Sequence, residues 1–211
     1  SIGGISCKQI VRWNGSVFDN MQGGVDGPFF PEVYALEVYK GQLYVGGNFT
    51  KAGNIPANYI ARWDGSKWDS VGTGVDWGVK AFAVDTVNDI LYVGGWFRQA
   101  GGIPAKSVAK WDGTNWSAIA PCPILGGHQC MKFFNGELYA GSYGNFSPGD
   151  TVLWRYDGSQ WHPVYGPNSS VVTLETYKGN LYVGGGFDKI DTTTVNCIAC
   201  YGDSCPGTPI T

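Results

Sequence analysis

The chain has 211 residues, 43% hydrophobic and 15% aromatic, enough for one substantial core in a single domain spanning 1–211. A formal net charge of −3 with no run of Lys or Arg lacks the basic stripe that a nucleic-acid backbone demands, and no apolar stretch approaches the roughly 18 residues of a membrane span. The opening "SIGGISCKQI" has neither a basic start nor an apolar core, so a processed chain or part of a longer precursor is expected.

Two strands are predicted first, in "KQIVRW" and "VFDNM". From Val33 a four-part unit begins. "VYALEVY" alternates in polarity, Lys40-Gly41 turns the chain into "QLYVGGNF", a longer loop leads to "YIARW", and Asp64-Gly65 turns it into "KWDSV". Period-two alternation rich in β-branched and aromatic residues, punctuated by glycine turns, predicts four antiparallel strands, A to D. "LYVGGNFTKAGNIPANYIARWDGSKW" (Leu43 to Trp68) is nearly restated as "LYVGGWFRQAGGIPAKSVAKWDGTNW" (Leu91 to Trp116). A-B turns recur at Asn135-Gly136 and Lys178-Gly179, and C-D turns at Asp112-Gly113 and Asp157-Gly158. Trp13, Trp63, Trp111, Tyr156 and Tyr201 take one C-strand position, at spacings of 50, 48, 45 and 45 residues. Four-stranded units of this length indicate a small all-β propeller, because one unit buries its faces only by stacking on neighbours. The units fall near 33–78, 79–127, 128–169 and a composite of 170–205 with 1–32. Pairing of the N- and C-terminal strands is expected to close a ring of four blade equivalents, or five if residues are missing.

The quoted repeat resembles those of large secreted bacterial surface proteins, often exported with a type IX sorting domain, and is similar to repeats in fungal cell-surface polarity proteins. Such repeats are classed with kelch-like and galactose-oxidase-like propellers. The resemblance covers Cys7 to Tyr201 and implies an extracellular propeller. It carries no copper-oxidase activity over, since His128 and His162 are the only histidines and stand at unrelated repeat positions.

Six cysteines suggest an oxidising compartment. Cys122 and Cys130 bracket a short loop and are expected to pair. Cys7, Cys197, Cys200 and Cys205 are expected to staple the termini, with three connectivities open. Cys197-x-x-Cys200 with Cys205, or Cys122, His128 and Cys130, lack the double-pair spacing of a zinc site. No cofactor is expected, although calcium held by backbone carbonyls would leave no mark in sequence. Asn14, Asn48, Asn115, Asn145 and Asn168 begin Asn-x-Ser/Thr sequons, which are glycosylation acceptors in a secreted eukaryotic protein and chance products of the repeat in a bacterial one.

Residues written into every copy read as structural, among them the Gly46-Gly47 type of pair, the turn aspartates and the C- and D-strand tryptophans. Departures from the repeat mark the candidate site. In this topology B-C and D-A loops share one face, which should gather Trp96 and Tyr143 from B-C loops and Trp77, Phe29, Phe30 and His128 from D-A connections. Aromatic rings there suit a glycan or a surface protein, bound by a monomer acting as a recognition or adhesion module. A structural spacer is one alternative. Another is a glycoside hydrolase using Glu37 and Glu175, which share a strand-A position with Lys132. No Gly-x-Ser-x-Gly elbow supports a serine hydrolase.

Overall fold

Alternating polarity sets the strands, and turns that need a left-handed backbone separate them. The computed structural model describes residue 4 and residues 6–123, 128–143 and 151–202. The N-terminal segment holds β1 (Arg12–Trp13), β2 (Phe18–Asp19), a 3-10 turn at Met21–Gly23, and β3 (Val25–Asp26). The first repeat unit contains β4 (Glu32–Tyr39), β5 (Gln42–Asn48), a small hairpin of β6 (Lys51–Ala52) and β7 (Ile55–Pro56), β8 (Ile60–Trp63) and β9 (Trp68–Ser70). The second contains β10 (Val79–Asp85), β11 (Ile90–Gly95), the hairpin of β12 (Gln99–Ala100) and β13 (Ile103–Pro104), β14 (Val108–Trp111) and β15 (Trp116–Ala118). The third contains β16 (His128–Phe134), β17 (Glu137–Ser142), β18 (Leu153–Tyr156) and β19 (Trp161–Val164). The fourth contains β20 (Val171–Tyr177), β21 (Asn180–Gly185), the hairpin of β22 (Lys189–Ile190) and β23 (Thr193–Thr194), and β24 (Ile198–Tyr201).

The fold is all-β. The first three units are antiparallel four-stranded sheets in the order A-B-C-D, namely β4-β5-β8-β9, β10-β11-β14-β15 and β16-β17-β18-β19. The A-B turns of the first, third and fourth units adopt the left-handed backbone at both central residues, with φ of 50° at Lys40 and 70° at Gly41. In the C-D turns the Asp64 carboxylate accepts from the Ser66 and Lys67 N–H groups, and Asp112 and Asp157 repeat the pattern.

The cores lie between sheets rather than within them. Strands β4, β10, β16 and β20 pack in series, and each apolar cluster joins two successive units. The Gly-Gly pairs in strand B explain how. A Cβ on Gly46 would lie 2.4 Å from Val79 and 2.8 Å from the Phe82 ring, so the first glycine is a notch that takes side chains of the next sheet. A Cβ on Gly47 would lie 2.0 Å from the Glu32 carbonyl oxygen, and one on Gly95 2.2 Å from that of Gly78. The second glycine thus admits the backbone of strand A beside its β-bulge. Ser142 stands at this second position in the third sheet, opposite His128.

The expected completion of a fourth unit by the N-terminal strands is absent from the pairings of the described residues. β1 pairs only with β2, and β20-β21-β24 stays three-stranded. Ile10, Met21 and Val25 are instead buried against Val45, Phe49, Ala52, Trp63 and Trp68 of the first sheet. A repeated clamp holds them there. β3 adds to the β6-β7 hairpin just as Val75 bridges Ala100 and Pro167 bridges Ile190. The outermost strand reaches back as well, its tryptophan indole N–H donating to the preceding connection: Trp68 to Met21 O, Trp116 to Val71 O and Trp161 to Ala120 O.

Both ends of the series are consequently uncovered. Leu36 is 54% exposed, whereas Phe82, at its position in the second sheet, is 7% exposed. Ile198 is 59% exposed, whereas Ile60, Val108 and Leu153 at its position are fully buried.

The cysteines depart from expectation in part. Cys7, Cys130 and Cys197 carry free thiols, so neither Cys122–Cys130 nor a Cys7–Cys197 staple is formed, whereas Cys200 is disulfide-bonded. Cys130 occupies the place of Ala35 and Ala81 in strand A and acts as a small core residue, its thiol pushed up to about 12 by burial. Cys205 lies outside the described residues. Among the described residues, no helix is long and apolar enough to cross a membrane.

Candidate functional site

The A-B and C-D turns share one end of the sheets. Lys40 shows this directly, pairing with Asp89 of the next A-B turn at 2.9 Å and donating to Asp112 O of a C-D turn. The opposite end carries the B-C and D-A segments, and departures from the repeat cluster there between the first and second sheets.

Trp77 lies in the connection leading to β10 and stacks on Tyr59, with ring centroids 6.5 Å apart and planes 19° apart. Tyr59 sits at the return of the B-C hairpin with a φ of 64°. Trp96 follows β11 in place of the first sheet's Asn48. Gly78 joins the two tryptophans, since a Cβ there would come within 3.9 Å of the Trp96 ring. Both are exposed, at 56% for Trp77 and 42% for Trp96. The Lys80 ammonium stands 3.3 Å from the Tyr34 ring centroid and 4.4 Å from that of Trp96. The Tyr34 hydroxyl donates to Glu32, and burial together with that carboxylate pushes the phenol up to about 12. Beside Trp77, a cleft of about 370 Å³ is lined by Asn58, Tyr59, Gly74, Val75, Asp76 and Gln99. It adjoins a second of about 410 Å³ reaching Ile55, Ile60 and Ser70. Asp76 is itself structural, accepting from the Arg98 and Gln99 N–H groups.

Of the residues expected on this face, Trp77 and Trp96 lie on adjoining segments, the Trp96 N–H donating to the carbonyl oxygen of Gly78. Phe29 and Phe30 are exposed in the first D-A connection, where their carbonyls accept from the Asn48 amide. Tyr143 is exposed after β17, beside residues that are not described. His128 does not belong to the face. It is fully buried at the strand-A position held elsewhere by Val33, Val79 and Val171, and it stacks near Trp161. Tyr34 and Lys80 were missed because each reads as an ordinary strand residue. The signal was their common place at the bulge of strand A, which adjacent sheets bring into contact.

The two strand-A carboxylates have separate partners. Glu175 is ion-paired with Lys132 at 2.5 Å, which lowers its pKa, and Glu37 accepts from the Val38 N–H of its own strand. No group of three or more metal-ligating side chains occurs among the described residues. Several sequon asparagines have structural partners: Asn48 as above, Asn14, whose carbonyl oxygen accepts from the Ser16 and Val17 N–H groups, and Asn168, whose carbonyl oxygen accepts from the Asp188 and Lys189 N–H groups. The sequon at Asn145 lies outside the described residues.

The family model of a β-propeller domain of unknown function, DUF5122, matches residues 41–63, from the first A-B turn through β8. This supports a β-propeller and says nothing of a ligand. No curated protein matches the chain.

Proposed function

We propose that this protein is an extracellular, non-catalytic recognition module, a propeller of four blade equivalents that binds glycans on the face bearing its B-C and D-A loops. The observation that carries the reading is the exposure of two indoles on adjoining segments: Trp77, stacked on the Tyr59 that lines a cleft of about 370 Å³, and Trp96, whose N–H donates to the carbonyl oxygen of Gly78. Stacking on Tyr59 holds one indole, and a backbone hydrogen bond to Gly78 anchors the residue that carries the other, so little ordering entropy is lost on binding. Flat apolar rings with polar rims suit the mixed faces of a pyranose. The extracellular assignment rests on the resemblance of the repeat to those of secreted surface proteins.

A glycan array would identify the ligand, and titration of the best hit would test the site. Trp77→Ala and Trp96→Ala are each expected to weaken binding by about tenfold, equivalent to about 1.4 kcal/mol, with unchanged thermal unfolding. Unchanged affinity in a folded double variant would sink the proposal. A second reading, a surface spacer that assembles by stacking, is favoured by the uncovered Leu36 and Ile198 faces.

A further inference from the structure

In each sheet the β-bulge of the innermost strand singles out one residue: Tyr34, Lys80, Gln129 and Val172 in turn. They share one place near the loop end of the A strands, and the 3.3 Å approach of Lys80 to the Tyr34 ring shows that neighbours in this row meet.

Lys80 is half-buried and carries three N–H donors. Among the described residues its ammonium forms no hydrogen bond or ion pair and has only the Tyr34 and Trp96 rings beside it. Ring faces offer a cation some electrostatic compensation but no lone pair in line with its N–H bonds. Burial disfavours the Lys80 charge, and Glu32 favours it only from a distance, its carboxylate being occupied by the Tyr34 hydroxyl. In the next sheet, Gln129 repeats the deficit: its Nε2 is buried and has no acceptor among the described residues. Adjacent positions of the row therefore hold two kinds of donor without acceptors, next to an exposed indole. A neutral sugar would meet the indole and leave the ammonium without a counter-charge. A carboxylate supplies two acceptor oxygens and that charge.

We infer that Lys80, assisted by Gln129, takes the carboxylate of a uronic-acid sugar whose ring lies against Trp96. The inference rests on the glycan-recognition reading and names its ligand class.

The test compares oligomers of galacturonate, glucuronate and mannuronate with their methyl esters, which keep the ring and remove the charge. For at least one pair, the acid is expected to bind at least about tenfold more tightly than the ester, a preference that fades as salt is raised. Lys80→Met should bring the acid down to the ester's affinity and leave the ester unchanged, Lys80→Arg should keep the preference, and Gln129→Leu should weaken the acid alone. Equal binding of acid and ester in every pair, or a preference that survives in folded Lys80→Met, overturns the inference while recognition by Trp96 stands. No binding of any acid, ester or neutral sugar overturns both.

Discussion

Phe82→Ala is expected to lower the unfolding free energy by about 3–5 kcal/mol, while Leu36→Ala, at the same repeat position, should cost less than about 1 kcal/mol. Phe82 sits against the notch of Gly46 and is 7% exposed; Leu36 has no sheet before it and is 54% exposed. Large-to-small changes destabilise through lost transfer energy and the cavity left behind, and an exposed side chain leaves no cavity. Met131→Ala and Leu174→Ala, at equivalent buried places, should resemble Phe82→Ala. Denaturant midpoints of the four variants would check this. A Leu36→Ala cost equal to that of Phe82→Ala would mean that another blade face covers Leu36 in solution.

Stability is expected to fall as the solution is acidified below about pH 6.5, and His128→Val should abolish most of that fall. His128 is wholly buried between sheets, its two ring nitrogens have no partner among the described residues, and burial alone pushes its pKa down to about 3. The folded state therefore holds a neutral imidazole while the unfolded chain binds a proton. Between about pH 6.5 and pH 3 each unit of acidification should cost up to about 1.4 kcal/mol, and above about pH 6.5 the difference vanishes. At pH 7.5 the variant should already be more stable by about 1 kcal/mol, because valine restores the residue of the other three copies and removes buried polar atoms. Urea unfolding of parent and variant from pH 7.5 to 4 isolates the histidine from Asp64, Asp112 and Asp157, whose turn hydrogen bonds hold their pKa values low in both proteins. Parallel pH profiles would contradict this account of His128.

Features set by a few neighbouring residues were legible in the sequence. The Lys40-Gly41 and Asp64-Gly65 turns and the alternation of strands A to D follow from local backbone chemistry, and the structure shows them. The Gly46-Gly47 pair was legible as a place of close approach, but what approaches it comes from another sheet and from a bulge. Closure was not legible, because it depends on how Ile10, Met21 and Val25 divide between two apolar surfaces of similar composition. The first sheet holds them through the β3 clamp. His128 was misplaced by its nearness to Cys122 and Cys130. Aligning it with Val33, Val79 and Val171 would have put it in the core. At the candidate site Trp77 and Trp96 stood out because they break the repeat, whereas Lys80 emerges only from the register that sets it over Tyr34.

The most direct test of loop-face recognition is to follow the indole N–H resonances of the nine tryptophans while the best glycan from an array is titrated in. The account predicts that Trp77 and Trp96 shift first and saturate together, while Trp13, exposed beside the C-D turn at the opposite end, stays still. Shifts centred on Trp13, with Trp77 and Trp96 unmoved, would contradict it.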